Sequence, residues 1–159
     1  MYVIVRPVRV RTVCVRASAT LGLLLTTACT QPTPFKPVTT VKELMTATIE
    51  PTAEVVFDAA VWMNGVSVGA PKNDEEWNAV RNNALTLAES GNLLMMAPRA
   101  RDEQGWMTRS QALVDAGVGA AKAAESRNLD TVFTAGGTIY LACTGCHQQY
   151  MTNAQQGPR

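Results

Sequence analysis

The chain has 159 residues, enough for one domain of ordinary size. Apolar residues make up 47% and aromatic ones only 6%, so Ala, Leu, Val and Met must build the core, a mixture that suits helices better than a strand-rich sandwich. The formal charge is +1, but Arg6, Arg9, Arg11 and Arg16 all precede the first acidic residue, Glu43; without those four, ten basic residues face 13 acidic ones, near −3. That balance excludes the concentrated basic face that nucleic-acid binding needs.

Residues 1–20 carry four arginines and no acid, and an apolar run from Ala19 to Ala28 follows, ending in small residues. A charged region, a short apolar region and a small-residue boundary describe a secretory signal peptide, expected over residues 1–28. The run is shorter than the roughly 20 apolar residues that span a bilayer. Cys29 directly follows Leu25-Thr26-Thr27-Ala28, which resembles a bacterial lipobox, with Thr26 where the usual pattern has leucine. Two readings stay open: a lipid on Cys29 anchors the protein to a membrane, or the mature protein is free in the periplasm after cleavage near Ala28. The Pro-rich segment that follows, with Pro32, Pro34 and Pro37, reads as an extended linker over 29–38. The folded domain is expected over 39–159.

Four helical stretches are predicted in that domain. The first runs from about Thr39 to Asn64 on the helical spacing of Val41, Leu44, Met45, Thr48, Val55, Val56, Ala59, Trp62 and Met63. Pro51 should kink it or start a second segment, and Gly65, Gly69 and Pro71 end it. The second runs from about Asp74 to Met96, capped by Asn73 or Asp74, with Trp77, Val80, Ala84, Leu87, Leu94 and Met95 turned inward. Gly91 weakens the case for one unbroken helix. The third runs from about Asp102 to Ser126, where Gly117 and Gly119 allow close approach of a neighbouring helix or a cofactor. The fourth runs from about Asn128 or Asp130 to Tyr150. No alternating strand pattern and no repeat is seen. Helices of this length joined by short loops predict an all-α, antiparallel four-helix bundle, with Trp62, Trp77 and Trp106 in the core.

The last predicted helix carries Cys143-Thr144-Gly145-Cys146-His147. Cys-x-x-Cys-His is the signature of covalent haem attachment. Two thiols at i and i+3 on a helix project from roughly one face and can add to the two vinyl groups of haem c. His147, four residues after Cys143, lies on that face as the proximal iron ligand. Three other readings compete. Structural zinc needs four ligands, and after Cys29 the chain offers only Cys143, Cys146 and His147. A thioredoxin-like redox pair expects a preceding strand. A chance disulfide beside a histidine is the third. The cysteine count favours haem: Cys14 falls in the signal, Cys29 at the processing site and the other two in the motif, and His147 is the only histidine.

A haem motif on the last helix, with Tyr150 three residues after the histidine, resembles the class II cytochromes c: the cytochrome c′ family and its low-spin relatives. The resemblance covers about residues 38–151. It implies a four-helix bundle with one covalent haem, working in periplasmic electron transfer or in binding NO or CO. In low-spin members a methionine on the first helix binds the iron. Val41-Lys42-Glu43-Leu44-Met45 resembles that pattern, although the family commonly has arginine near Lys42. Met45 is therefore the candidate sixth ligand and core packing is the alternative; Met63, Met95, Met96 and Met107 are weaker candidates. Arg99 and Arg101 have the fork geometry to bind haem propionates, and Arg99 is taken as the candidate. The expected function is a periplasmic electron carrier serving redox partner proteins; the alternative is a five-coordinate gas-binding protein. Haem peroxidases place a general base above the iron, commonly histidine. The single histidine here is already used, so no enzyme is expected. The family also implies a homodimer through the first two helices.

Overall fold

The computed structural model describes residues 35–151. The expected signal peptide, Cys14, Cys29, residues 29–34 of the expected linker, and residues 152–159 lie outside the described residues. Thr40 opens the first helix with a capping box: its hydroxyl accepts from the Glu43 N–H at 3.2 Å, and the Glu43 carboxylate accepts from the Thr40 N–H at 2.8 Å. The elements that follow are α1 (Val41–Leu44), a π-helical segment (Met45–Ile49), α2 (Glu50–Asp58), β1 (Trp62–Met63), β2 (Val66–Ser67), α3 (Asp74–Met95), α4 (Gly105–Ser126) and α5 (Leu129–Tyr150). The described chain is all-α apart from the short hairpin β1–β2. None of its helices is long and apolar enough to cross a membrane.

The π segment has a cause in Pro51. Proline has no N–H to give to the preceding turn, and its ring crowds the carbonyl four residues back. The chain widens there: the Glu50 N–H reaches back five residues to the Met45 carbonyl, and Pro51 sits in the first turn of α2. Proline thus starts a new segment without ending the rod.

The first predicted helix stops six residues early, at Asp58 rather than Asn64. Asn64-Gly65 is the reason. Both residues have left-handed backbones, with φ of 52° and 76°, the requirement of a tight hairpin turn. Trp62 pairs with Ser67 and Met63 with Val66. Trp62 is consequently 45% exposed and leaves the core, whereas Trp106 is buried and Trp77 packs at the core's edge.

The other three helices lie close to expectation. Asn73 caps α3, accepting from the Glu76 N–H at 2.9 Å. Asn128 caps α5, accepting from the N–H groups of Asp130 and Thr131. Only Arg127 and Asn128 separate α4 from α5, and Arg127 takes the left-handed conformation that stops α4. Helix α3 packs on α4, α4 on α5, and α2 on both α3 and α5. The core between them is built from Leu44, Val56, Val80, Leu87, Leu94, Trp106, Leu113, Val132, Ile139 and a row of alanines. Small residues bring α3 and α4 together. A Cβ on Gly117 would lie 2.7 Å from the Ala88 nitrogen, and one on Gly91 would lie 2.8 Å from the Ser110 carbonyl oxygen. Gly91 therefore sits inside an unbroken α3.

Candidate cofactor site

One cavity of about 390 Å³ opens between the π segment, α2, the end of α3, α4 and α5. Its size falls within the roughly 300–1,000 Å³ of small-molecule and cofactor sites. The lining is mainly apolar, from Met45, Ile49, Ala53, Phe57, Leu94, Leu113 and Ala142. Cys143, Cys146 and His147 line it from α5, and Glu50, Glu54 and Arg109 supply charge.

Local geometry explains each approach. Met45, Ile49, Ala53 and Phe57 recur every four residues. On a regular α-helix that step drifts by about 40° around the axis, and the wide turn at 45–49 takes up part of the drift. On α5, Cys143, Cys146 and His147 keep the i, i+3, i+4 spacing of one face, and the helix runs unbroken through all three.

Cys143 and Cys146 are half-buried thiols. Burial, and next the neighbouring Cys146, push the Cys143 pKa up from the ordinary thiol value. Burial also raises that of Cys146, opposed by the Arg109 guanidinium. Both shifts favour the thiol over the thiolate. Zinc ligation and disulfide exchange both need the thiolate. Among the described residues no three His, Cys, Asp or Glu side chains converge as a metal site. The residues leading into the motif belong to α5 and not to a strand, and the only strands among the described residues, β1 and β2, pair with each other far upstream.

Met45 joins the motif residues at the cavity, and Met63, Met95, Met96 and Met107 do not line it. Arg99 does not line it either. It is buried, and its guanidinium donates to the Thr39 carbonyl at 3.0 Å, the Thr39 hydroxyl at 2.9 Å and the Leu93 carbonyl at 3.1 Å. Those bonds tie the chain ahead of α1 to the end of α3. The arginine at the cavity is Arg109. It lies over Gly145, where a Cβ would come 2.7 Å from its Nη1, and its Nε donates to Gln149 at 3.2 Å. Nothing in the sequence marks Arg109 among the basic residues; only the fold brings it to the motif glycine.

Comparison of the chain with protein-family models, with curated proteins and with solved structures finds no match.

The α5 end of this site is anchored to α4. The Tyr150 hydroxyl donates to Asp102 at 2.6 Å. Partial burial and that bond push the tyrosine pKa up to about 12. The Asp102 pKa is lowered, first by the tyrosine and then by the Trp106 N–H. A raised tyrosine pKa favours the neutral folded form. Its contribution to stability is complete below the ordinary value of 10.0 and is lost as pH rises towards 12. Alkaline unfolding followed by circular dichroism should accelerate through that window in the native chain. The Tyr150→Phe chain, already lacking the bond, should show a flatter dependence.

Proposed function

We propose that this chain is a monohaem c-type cytochrome of the class II kind, a four-helix bundle that carries electrons in the periplasm. The observation that supports the reading most is the convergence of Met45, Cys143, Cys146 and His147 on one mainly apolar cavity. The residues fit the group. Each protonated thiol can add across a vinyl double bond: sulfur bonds one carbon, its proton ends on the other, and no oxidant is needed. His147 would offer its imidazole to the iron from the same helix face, and Met45 its thioether from the π segment. Arg109, beside Gly145, is the cation suited to a propionate. Glu50 and Glu54 add negative charge at the cavity and favour the more positive, oxidised form. When bound, the haem iron takes up and releases one electron; the protein has only to hold it, exclude water and leave an edge exposed. The amino-terminal signal would deliver the chain to the periplasm, where redox partner proteins would meet it, with Cys29 as a lipid anchor.

Expression in cells that mature c-type cytochromes tests the reading. The haem should remain on the polypeptide after denaturation. The native protein should be low-spin and unreactive to carbon monoxide. Met45→Ala should turn it high-spin and let carbon monoxide bind. Its midpoint potential should fall, because a thioether favours the reduced iron. A wild type that binds carbon monoxide at once would favour the gas-binding role instead.

A further inference from the structure

The proposed ligand His147 sits in the last turn of α5, only three residues before its end at Tyr150. Last turns are where helices fray, because their carbonyls lack intrahelical partners. Here the turn is pinned. The Met151 N–H closes on the His147 carbonyl at 2.9 Å. The Tyr150 ring meets Trp106 edge-on, with centroids 5.0 Å apart and planes at 77°. The Asp102 carboxylate is shared. One oxygen accepts from the backbone N–H groups of Gln104 and Trp106 at 3.1 and 3.0 Å, closing the start of α4. The other accepts from the Tyr150 hydroxyl. Trp106 in turn donates its indole N–H to the Leu94 carbonyl at 2.8 Å, and Leu94 lines the cavity.

From this arrangement we infer that Asp102 and Tyr150 are a positioning pair. They lock the ligand-bearing turn of α5 to the start of α4 and so fix the orientation of the His147 ring at the cavity. The inference rests on the cytochrome reading, since it assigns the pair a task at the iron. One carboxylate serves both helix ends, so the start of α4 and the end of α5 are set by the same side chain. Trp106 extends the lock to the cavity wall. Helix stability alone would not require the two ends to share a residue: Asp102 caps α4 without Tyr150, and Tyr150 packs on Trp106 without its hydroxyl.

Tyr150→Phe removes only the hydroxyl. Asp102→Asn keeps one carbonyl oxygen to accept from the Gln104 and Trp106 N–H groups, and its amide NH2 can donate to the Tyr150 hydroxyl, so the link survives with its direction reversed. Asp102→Ala loses both. Two measurements on the haem-loaded protein separate placement from mere stability. Amide exchange over residues 146–150 should speed up about tenfold in Tyr150→Phe, the scale of one hydrogen bond to a charged group. In Asp102→Asn it should stay near wild type. The haem methyl proton resonances of the ferric protein, whose spread follows the plane of the axial imidazole, should change pattern in Tyr150→Phe and Asp102→Ala. They should be close to native in Asp102→Asn, and the double variant Tyr150→Phe/Asp102→Asn should show no more than Tyr150→Phe alone. Methyl shifts unchanged in Tyr150→Phe, on a wild type that holds its haem covalently, would overturn the pair and leave the cytochrome reading intact. A wild type that loses its haem on denaturation would overturn the cytochrome reading and the pair's task with it.

Discussion

Serine at both Cys143 and Cys146 should leave a polypeptide with no haem band after denaturation, while the native chain keeps a full one. Serine preserves the size and the helix, so the loss would report the missing sulfur and not a collapsed fold. Either single variant should retain one thioether and move the reduced absorption maximum to longer wavelength, as expected with one vinyl group left unreduced. Helix content measured by circular dichroism should be similar in all three. A double variant that still held its haem through denaturing conditions would remove the chemical basis of the proposed function.

Gly117→Val should be strongly destabilising, although it lies away from the cavity. The first added carbon already lies 2.7 Å from the Ala88 nitrogen and 2.9 Å from the Ala84 oxygen. Both are backbone atoms of α3, which cannot move without moving the helix. Overpacking of this kind costs about 1–3 kcal/mol, and the high end is expected where backbone must give. The matched experiment is Gly119→Ala. A Cβ there meets nothing within 4 Å, so removal of a flexible residue from a helix should raise stability by about 0.5–1 kcal/mol. Urea titration of the pair would read both signs. Equal midpoints would mean that α3 and α4 are not pressed together at Gly117.

Most of the helical plan is readable from the residues. Asn73 and Asn128 mark two starts with side chains that accept backbone N–H groups, and the helical spacing of Val80, Ala84, Leu87 and Leu94 gives the inner face of α3. The hairpin was hidden because Trp62 and Met63 continue the helical spacing of the residues before them. Gly65 does more than end a helix: with Asn64, expected as the helix's last residue, it forms a turn that folds the chain back. Gly91 looked like a weak point and is a contact point, a difference that depends on which helix lies opposite. At the site, the spacing of Cys143, Cys146 and His147 is local and could be read directly. Arg99 and Arg109 show the limit. Both are arginines near helix ends or faces, and only the packing decides that the first is spent on Thr39 and Leu93 while the second reaches the cavity.

The route by which the cavity is closed bears on the order of assembly. Helices α4 and α5 are joined by two residues and can pair almost as soon as they form, because a short loop costs little entropy to close. Met45 and Cys143 stand 98 positions apart, and the wall between α2 and α5 needs that long closure. Contacts so distant along the chain are made late in folding. If the chain is exported and loaded with haem as proposed, α2 would be the last element to settle against α5. The two thiols would stay reachable until then, which leaves an interval in which a bulky planar group can enter sideways before the first helix shuts over it.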